Sequence, residues 1–189
     1  MLFRSTTVED RKILVNKLKI NYYAHLLNEM QVRKVILPAS AYAFLNDIVF
    51  DDKILYFSPG TDNFFYFLLS DKSLKIPSIG DTPIPEWKEK LRRRLAKIPY
   101  KPNDLFCDLM AFSSYYFQLE NGKPLTAQQL QNIHTGFSSG EWDRLLLLYH
   151  EQEVKTQARS GHFVNCAEKG QPQTLEEILA QHKGKPVIV

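Results

Sequence analysis

Cysteine, histidine and clustered charge are the residue types in this chain with chemistry to offer, and their spacing is the first test of each. The two cysteines, Cys107 and Cys166, lie far apart. They form neither the Cys-x-x-Cys pair of a dithiol exchanger nor part of a metal-ligand cluster. Buried structural thiols are the simpler reading, with a single disulfide as the alternative. The five histidines, His25, His134, His150, His162 and His182, include no His-x-x-x-His pair. His162 and Cys166 stand four apart, the spacing of one helix face. Gly161 and Asn165 argue against a helix there, and a zinc site needs further ligands. A Cys–His nucleophile would likewise need a third, orienting group. Neighbouring carboxylates, Asp51 with Asp52 and Glu151 with Glu153, point to different sides of a helix, as surface charge does. No catalytic, cofactor-binding or metal-binding residue is assigned, and no cofactor is expected.

The densest charge is Lys88-Glu89-Lys90-Leu91-Arg92-Arg93-Arg94-Leu95-Ala96-Lys97. Such a run can meet phosphate or an anionic membrane surface. Three consecutive arginines, however, fan over about 200° of a helix and cannot all face one groove. A solvated helix face, with Trp87, Leu91, Leu95 and Ile98 turned to a core, accounts for it better. The whole chain agrees, because 24 Lys+Arg against 21 Asp+Glu leave a formal charge of only +3. A nucleic-acid binder carries a larger excess, so nucleic acid is not an expected partner. The aromatic runs Phe64-Phe65-Tyr66-Phe67 and Tyr115-Tyr116 read as core packing before they read as a ligand groove. No glycine-rich phosphate loop is present.

The elements that must position these residues are mostly helices. At 189 residues, 44% apolar and 24% charged, the chain has the composition of a folded domain, or of one domain plus a fragment of another. Thr7 is placed to cap a helix over about 7–30, with Glu9 and Asp10 in its first turn. Ile13, Leu14, Leu18, Tyr22 and Leu26 fall near helical spacing and are expected to be its buried stripe. A connector ended by Pro38 leads to a helix over 39–49. A short turn of helix over Ile54 to Phe57 is broken by Ser58-Pro59-Gly60. The run Phe64 to Leu69 is apolar on every side and reads as buried helix, with a strand as the competing reading. Residues 70–85 hold Pro77, Gly80, Pro83 and Pro85, a loop and a candidate subdomain boundary. Helices follow over 86–97, about 103–120 (stopped by Asn121-Gly122), 126–135 (a Thr126/Gln129 capping box, closed by Gly136) and about 139–159 (opened by Ser138 and Glu141). Gly161 is expected to end the last of these.

Beyond Gly161 the texture changes. His162 to Cys166 suggests a short strand, and Thr174-Leu175-Glu176-Glu177 opens a short helix to Gln181. Lys183-Gly184-Lys185-Pro186 is a turn, and Val187-Ile188-Val189 has the β-branched, apolar look of a central strand. Such a strand needs neighbours on both sides. No other run reads as one, so the expectation is a sheet that continues beyond this sequence. No apolar run approaches the roughly 20 residues that span a bilayer, and the first seven residues lack the apolar stretch of a signal peptide.

Thr174-Leu175-Glu176-Glu177-Ile178-Leu179 followed by Lys183-Gly184-Lys185-Pro186-Val187-Ile188-Val189 resembles the opening of the thioredoxin-like domain in bacterial envelope thiol-disulfide oxidoreductases of the TlpA and ResA-like family. The matching stretch covers about residues 163–189. In that family the strand leads into the turn bearing the Cys-x-x-Cys site, which this sequence does not contain. Ala43-Phe44-Leu45-Asn46-Asp47, Lys123-Pro124-Leu125-Thr126 and the helical texture are similar to an N-terminal extension some members carry, notably in Bacteroidetes. The resemblance implies a mainly α chain: a helical bundle over 1–160, then a truncated thioredoxin-like (α/β) stub over 162–189. It implies a bacterial periplasmic or envelope location. It also implies thiol-disulfide exchange with a protein partner in the parent protein, the helical part recognising or positioning that partner. The chain itself is expected to be inactive. The alternative is a self-contained helical protein-interaction module with no redox role. A membrane surface is a partner the residues do not support, and the oligomeric state is not legible.

Overall fold

Capping chemistry sets most of the helix boundaries. In the computed structural model, which describes residues 7–50, 61–138 and 140–167, the Asp10 N–H donates to the Thr7 hydroxyl at 3.1 Å while the Thr7 N–H donates to the Asp10 carboxylate at 2.9 Å. This reciprocal box opens α1 (Val8–Val32). The helix ends in a Schellman turn, the Lys34 N–H donating to Gln31 and the Val35 N–H to Met30. After Pro38 comes a 3-10 segment, Ala39–Asp47, where an α-helix over 39–49 was expected. Its buried Tyr42 and Leu45 stand three apart, the period of the tighter helix.

Helix α2 (Thr61–Ser70) settles the run that read as helix or strand. It is not buried all round: Phe64, Phe65 and Leu68 face the core, while Tyr66 is exposed. Helix α3 (Ile84–Leu95) starts on Ile84 with Pro85 in its first turn, where a missing N–H costs nothing. Helix α4 (Asp104–Glu120) is capped by Asn103, whose side-chain oxygen accepts the Phe106 N–H at 2.8 Å. Gly122, at φ +67°, stops it, with the Gly122 and Lys123 N–H groups donating back to Leu119 and Gln118. The Thr126/Gln129 box opens α5 (Ala127–Gly136).

Helix α6 (Gly140–Ala167) overturns two expectations. It does not end at Gly161, and residues 162–166 are helix rather than strand. A glycine inside a helix costs about 1 kcal/mol, but it stops one only where a left-handed cap takes up the last carbonyls. Among the described residues all regular structure is helical. The expected turn at Ile54 to Phe57 and the stretch 168–189, with its expected helix, turn and final strand, lie outside the described residues.

The helices α1, α2, α4 and α6 pack in sequence as one row, and α3 and α5 lie across α4 and α6. Helix α4 is therefore the centre, burying Phe106, Cys107, Leu109, Met110, Ala111, Tyr115 and Leu119, whereas α1 is an edge. One apolar core runs from Ile20 to Leu146 and takes in Leu74 and Ile79 from the loop between α2 and α3. That loop is thus stitched into the core and does not divide the bundle in two. Tyr42 reinforces it: the hydroxyl donates to Asp71 at 2.5 Å, and Asp71 also accepts the Ser73 N–H at 2.7 Å.

Candidate interaction surface

The buried polar groups are the first place to look for chemistry, and most are committed to holding helices together; the buried Tyr115 hydroxyl has no hydrogen-bond partner among the described residues. Lys88, expected on a solvated face, is 7% exposed. Its ammonium pairs with the Asp108 carboxylate and donates to the Gly136 carbonyl at 3.3 Å. The second Asp108 oxygen accepts the Ser138 N–H at 3.3 Å. A lone buried charge is very costly, and this pair satisfies both members while tying α3, α4 and the α5–α6 link together. Cys107, one residue away, is fully buried and free. Burial pushes its thiol up to about 11, against the pull of the Arg92 and Lys88 cations. A thiol so held carries almost no thiolate near neutral pH, and thiolate is the attacking species. Burial likewise pushes the Tyr115 phenol up to about 12.

A second polar knot clasps the loop before α3 to α5. Gln118 and Gln129 exchange amide bonds at 2.8 and 3.0 Å, and Gln129 also donates to the Gly80 carbonyl at 3.2 Å. Asn132 donates to the Asp81 carbonyl at 3.0 Å, and the Thr126 hydroxyl to the Asp81 carboxylate at 2.7 Å. Beside this knot lies an open cleft of about 480 Å³, edged by Tyr66, Ser70, Phe117, Gln118 and Asn121. Its polar groups are used locally: Ser70 donates to the Tyr66 carbonyl and Asn121 to the Phe117 carbonyl, both at 2.7 Å. No acid, base and nucleophile converge there.

Lys88 apart, the basic run lies as the sequence suggests. Trp87, Leu91 and Leu95 are buried and Ile98 packs against them. Outside, Lys90 meets Glu86 at 2.8 Å, Arg92 meets Glu89 and Asp104, and Arg94 donates to the Leu74 carbonyl. Two of these outward cations, Lys90 and Arg92, are thus paired with carboxylates. His134 sits 3.8 Å from Asp143 at the surface, and the Nδ1 of His150 accepts the Leu125 N–H at 3.2 Å. Glu151 is surface charge beside Lys155, as expected. His162 and Cys166 both fall on α6. Among the described residues no three His, Cys, Asp or Glu side chains gather as a metal site.

The surface that stands out is on α1. Of the expected stripe Ile13, Leu14, Leu18, Tyr22 and Leu26, Ile13 packs against the core, but Leu14, Leu18 and Tyr22 do not, so the register is displaced. The core side of the helix is Asn16, Ile20, Ala24 and Leu27. Leu14, Leu18 and Tyr22 are 56%, 59% and 64% exposed, with Val8, Val15 and Val32 also open to solvent. The helix carries two apolar stripes on opposite sides, and Asn16 decides which is buried. Its amide accepts the Val49 N–H at 2.9 Å and donates to the Val49 carbonyl at 2.7 Å. That pairing satisfies the backbone entering residue 50 and fixes the inner face. Lys19 and Tyr23 add bonds to Asp47 at 2.9 and 3.1 Å. The inner face carries a polar residue, so apolar periodicity alone points to the outer stripe. Isolated exposed apolar side chains are ordinary, whereas a row of them on one helix face is the pattern a contact surface takes. No protein-family model, curated protein or solved structure matches the chain significantly.

Proposed function

We propose that the bundle is a non-catalytic recognition or positioning module that works through the outer face of α1, within a TlpA/ResA-like thiol-disulfide oxidoreductase of the bacterial envelope. The observation that carries the first part is the exposed apolar row Leu14, Leu18 and Tyr22 on an edge helix whose opposite side is already packed. The buried polar groups support it, because Lys88, Asp108 and the Gln118–Gln129 pair are spent on structure. Cys107 is fully buried and its thiol is held protonated, which sets it against attack on a disulfide. Support for the redox parent is the Thr174 to Val189 resemblance, in which the thioredoxin-like part supplies the exchange and the helical part the partner. The sequence contains no Cys-x-x-Cys pair.

Two measurements test this reading. Insulin reduction by this chain with dithiothreitol should match the uncatalysed rate, and a clear excess overturns the non-catalytic assignment. The reading frame after the Val189 codon should encode an aromatic turn with Cys-x-x-Cys within a short distance. A stop codon there removes the redox parent and leaves the self-contained interaction module.

A further inference from the structure

We infer that the end of the bundle where α1, α2 and α3 finish is a contact surface for an anionic lipid bilayer. The inference rests neither on the outer face of α1 nor on the redox parent.

Three helices run out at the same place. Gln31, in the last turn of α1, donates to the Phe67 carbonyl at 2.6 Å, so α1 and α2 end side by side. The Leu37 N–H then donates to the Ser73 hydroxyl at 3.0 Å, and Arg94, in the last turn of α3, donates to the Leu74 carbonyl. These bonds gather Lys34, Lys72, Lys75 and Arg94, from three stretches of the sequence, beside Val35 and Ile36. The basic run of α3, fanned around its own helix, makes no such surface alone; the loop and the end of α1 complete it. The carboxylates nearby are occupied. Asp71 is buried against Tyr42 and Ser73, and Glu29 lies 3.5 Å from Arg33. Lys34, Lys72 and Lys75 are exposed, and among the described residues their ammonium groups have no hydrogen-bond or ion-pair partner.

Backbone conformation sets two of these lysines apart. Among the described residues, the non-glycine positions at positive φ are Lys34 (+56°) and Lys75 (+49°). Glycine would fold with less strain at both, and strain of this kind gathers where a side chain has a use. What lysine adds is a charge held toward solvent. The apolar members are as unusual: Ile36 is 81% exposed and Val35 46%. Cations at helix C-termini also answer the helix dipole. That accounts for charge here, but not for lysine at left-handed positions or for aliphatic side chains standing in water beside it. The phosphate backbone of a nucleic acid has no use for Ile36. A bilayer takes both kinds of group, aliphatic side chains entering the headgroup boundary and ammonium groups meeting anionic headgroups.

Flotation of the full chain with vesicles of phosphatidylcholine containing about 30% phosphatidylglycerol should show binding at about 0.1 M salt that weakens at about 0.5 M. Vesicles of phosphatidylcholine alone should bind far less. Lys34→Gly combined with Lys75→Gly removes two charges and relieves both strained turns. It should weaken binding about 25-fold, about fivefold per charge, while the thermal midpoint does not fall. Ile36→Ser should weaken it at least about fivefold. Lys12→Gln, about six turns back along α1, should change it less than about twofold. Absence of binding to the anionic vesicles overturns the inference, and retention on heparin or polyglutamate in that case assigns the cations to another polyanion. Equal binding to pure phosphatidylcholine overturns it too, as does anionic binding that survives either the lysine or the Ile36 variant.

Discussion

At the scale of the residue, this fold is set less by its apolar side chains than by where polar atoms and a single missing methyl fall. Gly136 shows the second kind of control. It closes α5, but its φ is not left-handed, so helix termination is not why glycine stands there. A Cβ at this position would come within 2.5 Å of the Ile84 Cβ and 2.9 Å of its Cδ1. The start of α3 and the end of α5 therefore touch through the glycine. This contact also sets the Gly136 carbonyl 3.3 Å from the Lys88 ammonium. Gly136→Ala should cost about 2 kcal/mol or more in urea unfolding, because the methyl must push apart two packed helices. Ile84→Ala on top of it should recover part of that loss, although Ile84→Ala alone opens a cavity and destabilises. Additive losses in the double variant would show that the contact is not the cause. Lys88 belongs to the same scale. It opens a run of charged residues and reads as surface, and only its place on the buried side of α3, opposite Asp108, makes it an internal tie.

At the scale of the element, what the sequence makes legible is what is decided locally. Thr7, Asn103, Thr126, Pro85 and Gly122 each act on backbone groups within a few residues, and Thr7, Thr126 and Gly122 sit where caps and a stop were expected. Their signal survives without knowledge of the rest of the chain. Orientation is not local. Periodicity located α1 yet misassigned its buried side, because Asn16 meets Val49, thirty-three residues further on. The end of α6 was misplaced for a related reason, since glycine permits a stop that only the following residues can complete. One local rule is broken where it was not anticipated: Lys34, at φ +56°, fills the left-handed position of the α1 Schellman turn. A side chain in that conformation costs about 1 kcal/mol relative to glycine. Lys34→Gly should accordingly raise stability by about 0.5–1 kcal/mol, with the thermal midpoint rising by a few degrees. A loss of stability instead would mean that the lysine stem makes contacts worth more than the strain.

At the scale of the whole molecule, the central position of α4 makes its buried ionisable groups reporters on global unfolding. Cys107 and Tyr115 both lie on that helix, and neither can meet water without separating α4 from the elements packed around it. The folded thiol keeps its proton until pH reaches about 11, whereas its ordinary value is 9.0. Above pH 9 the unfolded chain has released a proton that the folded chain still holds, so raising the pH drives unfolding. The stability that Cys107 contributes is complete below pH 9 and is lost progressively toward pH 11. The limiting slope is about 1.4 kcal/mol per pH unit for one proton. Tyr115 adds a second slope, from its ordinary 10.0 toward about 12. Wild-type stability in urea should therefore fall steeply from pH 9. Cys107→Ala, less stable at neutral pH because it leaves a void, should fall less steeply between pH 9 and 10, the buried phenols acting alike in both proteins. Lines of equal slope for the two proteins across that unit would mean that the thiol ionises through local opening of α4. The bundle would then not be held by its central helix in the way the packing implies.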